Sequence, residues 1–304
     1  MTYSNISVAL ATYNGREFLE TQLYSIINQT VKLLEIIIVD DCSTDNTWRL
    51  LERFAEKYHF IKIFKNEKNL GVVKTFEKAL TLCLGEYIAL ADQDDYWLPN
   101  KLELLMSNID ENWLIHSDAF VVDDKLQIIN ESFSSIKPYH DNSLEMYYLR
   151  NNVTGCTALL KRELIEVALP FPENIIMHDH YLALCAKVCN KLAYIDNKLI
   201  KYRQHSQNII GSRQIDSYNL MISTFMKQVW FLDGLKQVSN VKFNSKQIET
   251  SRNYFVSVIA CKIPKLSTIK LIYKKFGFFA TLSMLLYTIV NKKFAKFCFE
   301  ITHK

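Results

Sequence analysis

Residues 88–95 read Ile88-Ala89-Leu90-Ala91-Asp92-Gln93-Asp94-Asp95, an apolar run followed at once by three carboxylates in four positions. The apolar half predicts the end of a buried strand. Carboxylates crowded beyond a strand repel one another and lose hydration unless a cation or a donor-rich ligand meets them. Oxygen ligands at this density suit Mg²⁺ or Mn²⁺, ions that also bind phosphate oxygens. The alternative is a solvated acidic turn before the helix that residues 98–100 begin, and the motif alone does not choose between the two.

Apolar runs of strand length alternate with amphipathic segments in the N-terminal part of the chain. The predicted strands are residues 6–11, 35–39, 61–64 and 87–91, and a helical period of apolar residues follows each of the first three. Strands that alternate with helices of this length predict a parallel sheet with right-handed crossovers. The predicted fold class is therefore α/β.

Polar clusters follow three of these strands at the point where each strand ends. They are Thr12-Tyr13-Asn14, Asp40-Asp41 and the acidic run 92–95. Parallel sheets bind ligands beyond the carboxyl ends of their strands, so three clusters on one edge predict one site. A solvated turn then becomes the weaker interpretation. We also expect Asn14 and Glu17 to form a capping box before the first helix, and Asp95 to cap the helix after the acidic run.

The pattern changes after residue 109. We expect a strand at 113–122, a hairpin turn at Asp123-Asp124 and a return strand at 127–129. Residues 130–150 are polar and irregular, as in a mobile loop over a site. The remaining predicted elements are a strand at 154–160, a helix from about residue 178, and a hairpin whose strands 192–195 and 199–202 meet at an Asp196-Asn197 turn.

The composition is that of an ordinary folded protein, since 49% of the residues are apolar and 22% are charged. Seven cysteines without a Cys-x-x-Cys pair argue against a zinc site or a disulfide framework, and they favour a reducing cytoplasm. The N-terminal residues run directly into a strand, so we predict no signal peptide.

Positive charge is concentrated near the C-terminus. Nine lysines and a single acid, Glu300, lie between Lys262 and the last residue. Within this segment, residues 276–290 carry no charge, but a membrane span needs about 20 apolar residues. The segment predicts either an interfacial helix drawn to anionic lipid or a helix buried against the α/β domain. Because it is apolar and lacks Arg, it argues against a nucleic-acid partner.

Four segments resemble the ordered motifs of family 2 glycosyltransferases. They are Val8-Ala9-Leu10-Ala11-Thr12-Tyr13-Asn14, Ile38-Val39-Asp40-Asp41-Cys42-Ser43-Thr44-Asp45, Asn69-Leu70-Gly71 and Asp92-Gln93-Asp94-Asp95. The resemblance covers about residues 5–210, and four motifs in order are far more specific than any one of them. Residues 92–102, taken with Tyr202-Arg203-Gln204-His205, are similar to bacterial rhamnosyltransferases of polysaccharide biosynthesis.

The resemblance implies a GT-A fold, in which a Rossmann-like, mostly parallel sheet is flanked by helices. Residues 1–210 would form the nucleotide-sugar-binding catalytic domain. Residues 211–304 lie beyond the resemblance, and their charge pattern predicts a basic helical C-terminal region that associates with the membrane if the interfacial interpretation above holds. The implied reaction is inverting, metal-dependent transfer of a sugar, rhamnose on the narrower resemblance, from a UDP or dTDP sugar to a glycan or lipid-linked acceptor. Mg²⁺ or Mn²⁺ would be the cofactor. The enzyme would serve cell-surface polysaccharide assembly from the cytoplasm, peripheral on the inner face of the membrane.

Site roles carry over from the family motif by motif. The donor-binding residues would be Thr12, Tyr13, Asn14, Asp40, Asp41, Asp92 and Gly155. Thr12 and Tyr13 would border the nucleobase, and either Asp41 or Asp40 would meet the base or the ribose. Asp92 would lie near the ribose and the metal, while Gly155 would let the backbone approach the donor.

The metal and base roles fall on three further residues. Asp94 would be the direct metal ligand, and His205 would help to hold the metal or the diphosphate. Asp179 matches the catalytic base, although His178 stands before it where the family more often has a Glu. A carboxylate is also favoured at a helix N-terminus, so helix capping is the structural alternative for Asp179. A plain surface or core histidine is the alternative for His205.

Two other functions share some of these features. A nucleotidyltransferase would favour a triphosphate loop rich in Gly and Lys or Arg near the N-terminus, where residues 11–16 offer only Gly15 and Arg16. A non-catalytic nucleotide-sugar binding module would not require the Asp179 carboxylate.

Overall fold

A computed structural model of the 304-residue chain describes residues 5–136, 143–148, 151–205, 218–235 and 238–259. The chain divides into two compact units. The first comprises residues 1–142, 151–171 and 177–208, and the second comprises residues 143–150, 172–176 and 209–304.

Within the described residues, nine strands of the first unit form one sheet. They are β1 Ile6–Thr12, β2 Glu35–Asp40, β3 Ile61–Lys65, β4 Tyr87–Ala91, β5 Tyr96–Trp97, β6 Leu114–Val122, β7 Ile128–Asn130, β8 Ala158–Lys161 and β9 Leu192–Arg203. The order across the sheet is β3-β2-β1-β4-β8-β6-β9-β5, and β7 pairs with β6. Strands β3, β2, β1 and β4 are mutually parallel, whereas β8 runs antiparallel to β4 and to β6.

Helices connect the strands. Their bounds are α1 Leu19–Ile27, α2 Thr47–Lys57, α3 Val72–Leu82, α4 Lys101–Asn108, α5 Phe133–Ile136, α6 Leu144–Tyr147, α7 Arg162–Ala168, α8 His178–Val188, α9 Tyr218–Leu235 and α10 Ser245–Ile259. Each of the first three helices lies between two parallel strands, which is the predicted alternation. The α/β fold class is therefore confirmed.

The central strands are buried because helices cover them. All six residues of β2 are buried, as expected for a short apolar strand inside a parallel sheet. The helix α1 contributes Leu19, Leu23 and Ile26 to the core at helical spacing, and none of the three is exposed.

Strand register places the polar clusters at one edge, as predicted. Thr12 lies opposite Asp40 in the β1–β2 pair, and the Asp41 backbone N–H donates to the Thr12 carbonyl oxygen at 2.8 Å. Strand β4 pairs with the other side of β1, where Ala91 lies opposite Leu10. The carboxyl ends of β1, β2 and β4 are therefore neighbours.

The predicted hairpin at residues 192–202 is wrong. These residues form part of the single strand β9, which runs parallel to β6. Ser117 pairs with Ile195 and Asp118 with Lys198, so the two residues between them are extra in the register. The Asp196-Asn197 pair, which has turn composition, forms a bulge rather than a reversal.

The predicted strand at 154–160 is right only in its second half. Gly155–Thr157 form a 3-10 turn, and β8 begins at Ala158. The backbone N–H and hydroxyl of Thr157 donate to the Thr154 carbonyl oxygen at 2.9 and 2.7 Å, which bends the chain before the strand.

The turn at Asp123-Asp124 is confirmed. Oδ1 of Asp123 accepts the backbone N–H groups of Lys125 and Gln127, both at 2.9 Å, and β7 returns beside β6. In the predicted loop 130–150, the described residues include the short helices α5 and α6. Residues 137–142 and 149–150 lie outside the described parts.

The second unit contains α9 and α10. Nε of Arg252 donates to Oδ1 of Asp233 at 2.6 Å, which joins the two helices. In the described portions of the chain, no helix combines the length and the apolarity that crossing a membrane requires. The lysine-flanked segment 276–290, predicted to be interfacial or buried, lies outside the described residues.

Candidate active site

The loop after β1 is tied to the acidic run by the side chain of Gln93. Its Oε1 accepts the Thr12 hydroxyl at 2.6 Å and the Tyr13 backbone N–H at 2.8 Å, and its Nε2 donates to the Tyr13 carbonyl oxygen at 3.1 Å. The predicted meeting of these two polar clusters is thus a direct hydrogen-bonded contact.

The loop after β2 is held by the buried carboxylate of Asp40. Its Oδ2 accepts the Ser43 backbone N–H at 3.0 Å, and its Oδ1 accepts the Ser43 hydroxyl at 2.5 Å. Oγ of Ser43 in turn accepts the backbone N–H of Asn14 at 2.9 Å, and Oδ1 of Asn14 accepts the Thr44 backbone N–H at 2.8 Å. The expected capping box at Asn14 is wrong, because its side chain bridges to the β2 loop and α1 begins later, at Leu19.

Asp41 holds the loop between β3 and α3. Its Oδ1 accepts Nδ2 of Asn66 at 2.9 Å and the backbone N–H of Leu70 at 2.8 Å. Its Oδ2 accepts the backbone N–H of Gly71 at 2.8 Å. The structure places Asp41 at the predicted edge, with both oxygens engaged by the Asn69-Leu70-Gly71 motif region.

Asp94 and His205, the two residues predicted to hold a metal, meet in the structure. Oδ2 of Asp94 lies 2.9 Å from Nε2 of His205, across 111 residues of sequence. The Asp94 carbonyl oxygen accepts Nε of Arg203 at 2.7 Å. The ring of Phe18 contacts both His205 and Arg203. Its centroid lies 5.0 Å from the centroid of the His205 ring and 4.4 Å from the guanidinium carbon of Arg203.

Asp95 does not cap the following helix, so that expectation is wrong. The helix α4 begins at Lys101 after Asn100 and shows no side-chain cap. Asp95 is instead fully buried, and its Oδ1 accepts the backbone N–H of Arg203 at 3.1 Å. Its Oδ2 accepts no N–H or O–H hydrogen bond within the described parts of the chain, and the weakly donating thiol of Cys156 is its neighbour. Burial, reinforced by the charge of Asp94, raises the pKa of Asp95 to about 7.

Asp92 lies where the negative charge is densest. Burial, followed by the charges of Asp95, Asp94 and Asp179, raises its pKa well above the usual range of a carboxyl. Ligand atoms of Asp92, Asp95 and Cys156 lie within 4.8 Å of one another. Burial also raises the pKa of the Cys156 thiol, which keeps it protonated and unsuited to a hard ion. The remaining oxygen and nitrogen donors here are the carboxylates of Asp92 and Asp95, which lie close together, and the Asp94–His205 pair, and these atom types suit Mg²⁺ or Mn²⁺.

The side chain of Lys101, a residue that follows the acidic run in the chain, is fully buried. Its Nζ donates to the Cys156 carbonyl oxygen at 2.6 Å and lies 3.3 Å from the centre of the Trp97 ring. Burial lowers the pKa of Lys101 to about 7, against the opposing charges of Asp95 and Asp92. The lysine therefore neutralises part of the carboxylate charge only at a cost in desolvation.

Asp179 lies at the N-terminal end of α8, close enough to Asp92 for its charge to contribute to the raised pKa of Asp92. Oδ2 of Asp179 accepts the backbone N–H of Gly155 at 3.0 Å, and its Oδ1 accepts the backbone N–H of His180 at 2.7 Å. The residue in the N-cap position is Met177, so Asp179 is inside the helix rather than its cap. A Cβ on Gly155 would lie 3.3 Å from Cβ of Asp179, so glycine permits this close approach. The structure thus brings together the predicted base and the predicted glycine.

His178 fills the space behind Asp179. Its ring stacks on Phe76 with centroids 3.8 Å apart, and it is 3% exposed. Neither ring nitrogen has a hydrogen-bond partner among the described residues. Burial lowers the pKa of His178, so the ring is neutral.

The Glycosyl transferase family 2 model matches residues 7–168, more than half of the chain. This chain belongs to glycosyltransferase family 2. Family membership makes the protein a glycosyltransferase, and it displaces the nucleotidyltransferase and binding-module alternatives.

Curated relatives of this glycosyltransferase agree with that assignment. An uncharacterized glycosyltransferase of Methanocaldococcus jannaschii is 30% identical over 207 residues, covering 65% of this chain and 70% of the relative. The dTDP-rhamnosyl transferase RfbG of Shigella flexneri is 28% identical over 248 residues, covering 76% of this chain and 83% of the relative.

Solved structures show the same fold. The Staphylococcus aureus TarS fragment 1–349 in complex with UDP-GlcNAc superposes with a TM-score of 0.60 at 16% identity, covering 98% of this chain and 89% of that chain. A mannosyltransferase from Pyrobaculum calidifontis in complex with GDP-Man and Mn²⁺ gives a TM-score of 0.56 at 15% identity, covering 99% and 85%. The expected GT-A fold of the family 2 enzyme is confirmed.

Two residues of the site, Gln93 and Lys101, have no sequence signal of their roles, and Arg203 is indicated only as part of the Tyr202-Arg203-Gln204-His205 segment. Gln93 is an uncharged residue inside an acidic motif, and Lys101 has the sequence appearance of a solvated helix residue. Arg203 stands beside the predicted His205, which was the one available signal. Their roles depend on contacts across 55 to 109 residues of sequence.

Proposed function

We propose that this family 2 glycosyltransferase transfers a sugar, with inversion, from a nucleotide-sugar donor to a glycan or lipid-linked acceptor in cell-surface polysaccharide assembly. The observation that carries the proposal is the Asp94–His205 contact of 2.9 Å, formed at the sheet edge near which Asp179 lies. A metal-binding pair and a carboxylate at one strand edge supply the two groups that such a transfer needs.

Asp94 and His205 would hold Mg²⁺ or Mn²⁺, with the Asp92 carboxylate close by. The crowded carboxylates and the Oδ2 of Asp95, which accepts no N–H or O–H hydrogen bond among the described residues, support this, because a divalent cation would relieve their repulsion. When bound, the ion would act as a Lewis acid that neutralises charge on the departing diphosphate.

Asp179 would act as the general base. Its carboxylate would take the proton of an acceptor hydroxyl while that oxygen bonds to the anomeric carbon, and the bond to the diphosphate oxygen would break on the opposite face. The hydrogen bonds from Gly155 and His180 support this role, because they fix the carboxylate in one orientation. A general base of this kind contributes about 10²–10⁴-fold to the rate.

The donor would lie along the edge formed by Thr12, Tyr13, Asn14, Asp40 and Asp41. We propose a UDP or dTDP sugar, and rhamnose is favoured by the similarity to a dTDP-rhamnosyl transferase. Residues 1–210 would carry catalysis. Residues 211–304, with their excess of lysine, would bring the enzyme to the anionic inner face of the cell membrane from the cytoplasm.

The test combines a donor panel with one variant. Thermal unfolding in Mn²⁺ should shift upward with a single nucleotide sugar, since a ligand that binds only the folded state stabilises it. Asp179→Asn should abolish transfer from that donor and leave the thermal shift intact. The matched control is Glu166→Gln, which removes an exposed carboxylate on α7 and should transfer at the wild-type rate.

Two results would overturn parts of the proposal. Full activity in Asp179→Asn would remove the base assignment. A wild-type chain that responds to no nucleotide sugar with Mn²⁺ would contradict the donor and metal assignments together.

A further inference from the structure

We propose that Gln93 is a positioning residue that holds the nucleotide-facing loop of β1 and the metal-facing loop of β4 as one body. The proposal rests on the function proposed above. Its content is that the hydrogen bonds of one uncharged side chain, made to Thr12 and Tyr13, set the affinity for Mn²⁺ and for a nucleoside diphosphate by fixing the two loops.

The geometry is that of a clamp with three hydrogen bonds. The Gln93 amide accepts from the Thr12 hydroxyl and the Tyr13 backbone N–H, and it donates to the Tyr13 carbonyl oxygen. Both polar backbone groups of Tyr13 are thereby fixed to a residue 80 positions later. A side chain that both donates a hydrogen bond to a residue and accepts one from it resists rotation as well as separation.

The side chains of Gln93 and Thr12 lie directly against Gly15. A Cβ added at this glycine would lie 2.3 Å from Oε1 and 2.6 Å from Cδ of Gln93, and 2.8 Å from the Thr12 hydroxyl oxygen. Such distances force one group to move. Glycine at position 15 is therefore needed for the amide of Gln93 to occupy its place.

The clamp adjoins the metal-facing carboxylate. Gln93 lies between Asp92 and Asp94 in the chain, so fixing it to β1 limits the backbone on both sides. From the other direction, Arg203 holds the Asp94 carbonyl oxygen and His205 contacts its carboxylate. Asp94 is thus positioned by partners on two strands, and removal of Gln93 leaves it attached on one side only.

The experiment compares Gln93→Met with Gln29→Met. Methionine keeps the length of the side chain and removes its hydrogen bonds in both variants. Gln29 is a matched control, because it also makes three hydrogen bonds, with the Ser25 carbonyl, the Leu98 carbonyl and the Leu102 backbone N–H, away from the three strand ends. Thermal unfolding should show that both variants fold and are destabilised to a similar degree.

Binding is then measured without turnover. Mn²⁺ is titrated alone, with free ion counted by electron paramagnetic resonance, and UDP, dTDP and GDP are titrated by calorimetry in saturating Mn²⁺. We expect Gln93→Met to bind Mn²⁺ and the preferred diphosphate about tenfold more weakly, as is typical for residues that orient a metal ligand. Gln29→Met should bind both as the wild type does.

A double-mutant cycle tests the clamp itself. Gly15→Ala should weaken Mn²⁺ binding by displacing the Gln93 amide, and adding it to Gln93→Ala should cause little further loss. Additive losses, or wild-type Mn²⁺ affinity in Gln93→Met, would overturn the proposal while leaving the proposed function intact. A wild-type chain that binds neither Mn²⁺ nor any of the three diphosphates would overturn the proposed function and this proposal with it.

Discussion

Two acidic clusters lie at the same edge of the sheet, at the ends of the strands that flank β1, and their hydrogen bonding is opposite. At the end of β2, Asp40 and Asp41 accept five hydrogen bonds from Ser43, Asn66, Leu70 and Gly71. After β4, the carboxylates of Asp92, Asp94 and Asp95 have far fewer donors, and burial raises the pKa of Asp92 and Asp95.

The difference separates carboxylates that hold the loops at the donor edge from carboxylates that lie close enough together to repel one another. A carboxylate whose oxygens are filled by backbone N–H groups stabilises the loop that provides them. Carboxylates that crowd one another with few donors lower the stability of the fold, and a bound cation would relieve their repulsion. Substitution should therefore affect stability in the first cluster and metal-dependent activity in the second.

The largest expected effect is that of Asp94→Asn on activity. Loss of the proposed metal ligand should lower transfer by at least about a hundredfold. Stability should stay near the wild-type value, because an amide can still hydrogen-bond His205 and one repulsive charge is removed. Initial rates across an Mn²⁺ titration, with urea unfolding in parallel, measure both quantities.

The control for Asp94→Asn is Asp196→Asn, which removes an exposed carboxylate from the bulge of β9 and should change neither quantity. An Asp94→Asn variant that transferred sugar normally but unfolded easily would reverse the assignment of the two clusters.

Asp41→Asn should show the opposite pattern, with a loss of about 2 kcal/mol in the free energy of unfolding. An amide cannot accept on both sides, so at least one N–H from Asn66, Leu70 or Gly71 would lose its partner. Urea denaturation at pH 7 measures the effect. Glu67→Gln, an exposed substitution in the same loop, is the control, and equal stability of the two variants would contradict a structural role for Asp41.

Asp95→Asn should change how the stability of the metal-free protein depends on pH. The folded-state pKa of Asp95 is raised from 3.8 to about 7, so the folded protein holds a proton that the unfolded chain releases. Its stabilising contribution is complete below pH 3.8 and is lost as the pH rises to about 7, by up to a few kcal/mol. The variant should lose less stability than the wild type across this range. The free energy of unfolding is measured at stepped pH values. Equal slopes against pH for Asp95→Asn and the wild type would contradict the prediction, and the control Asp196→Asn should keep the wild-type slope.

Gly71→Ala should give the smallest effect, a loss of about 1 kcal/mol in the free energy of unfolding from backbone strain alone. Gly71 has φ of 83° and ψ of 160°, a region that side chains rarely adopt, and an added Cβ would meet nothing within 4 Å. Any loss of stability therefore comes from the backbone conformation that allows the Gly71 N–H to hydrogen-bond Asp41. Thermal unfolding measures it, and an unchanged melting temperature would show that the loop relaxes freely.

The sheet could be predicted where local signals agree with packing. Strands β1, β2 and β4 combine apolar runs with polar ends, so both their burial and the meeting of their ends followed from the sequence. The strand β9 could not be predicted, because Asp196-Asn197 has turn composition and only pairing with β6 makes it a bulge. The turn at Gly155 similarly depends on contacts, including the one to Asp179.

The site was predictable in its charged motif residues and not in their supports. Asp94 and His205 were placed together by motif resemblance, and they are 2.9 Å apart. The assignment of Asp95 failed because its neighbour in space is Arg203, 108 residues later, rather than the next helix. Lys101 resembles a solvated helix residue until the fold buries it beside Trp97. A role that depends on contacts with residues far away in the chain produces no periodic pattern in the sequence.

The late position of Arg203 and His205 has a consequence for biosynthesis. Asp94 leaves the ribosome 111 residues before His205, a delay of roughly 5–20 s at about 5–20 residues per second. During that interval the first four strands can assemble, but Asp94 lacks the contacts that Arg203 and His205 later make with it. A nascent chain halted before β9 would therefore carry most of the sheet without the proposed metal site.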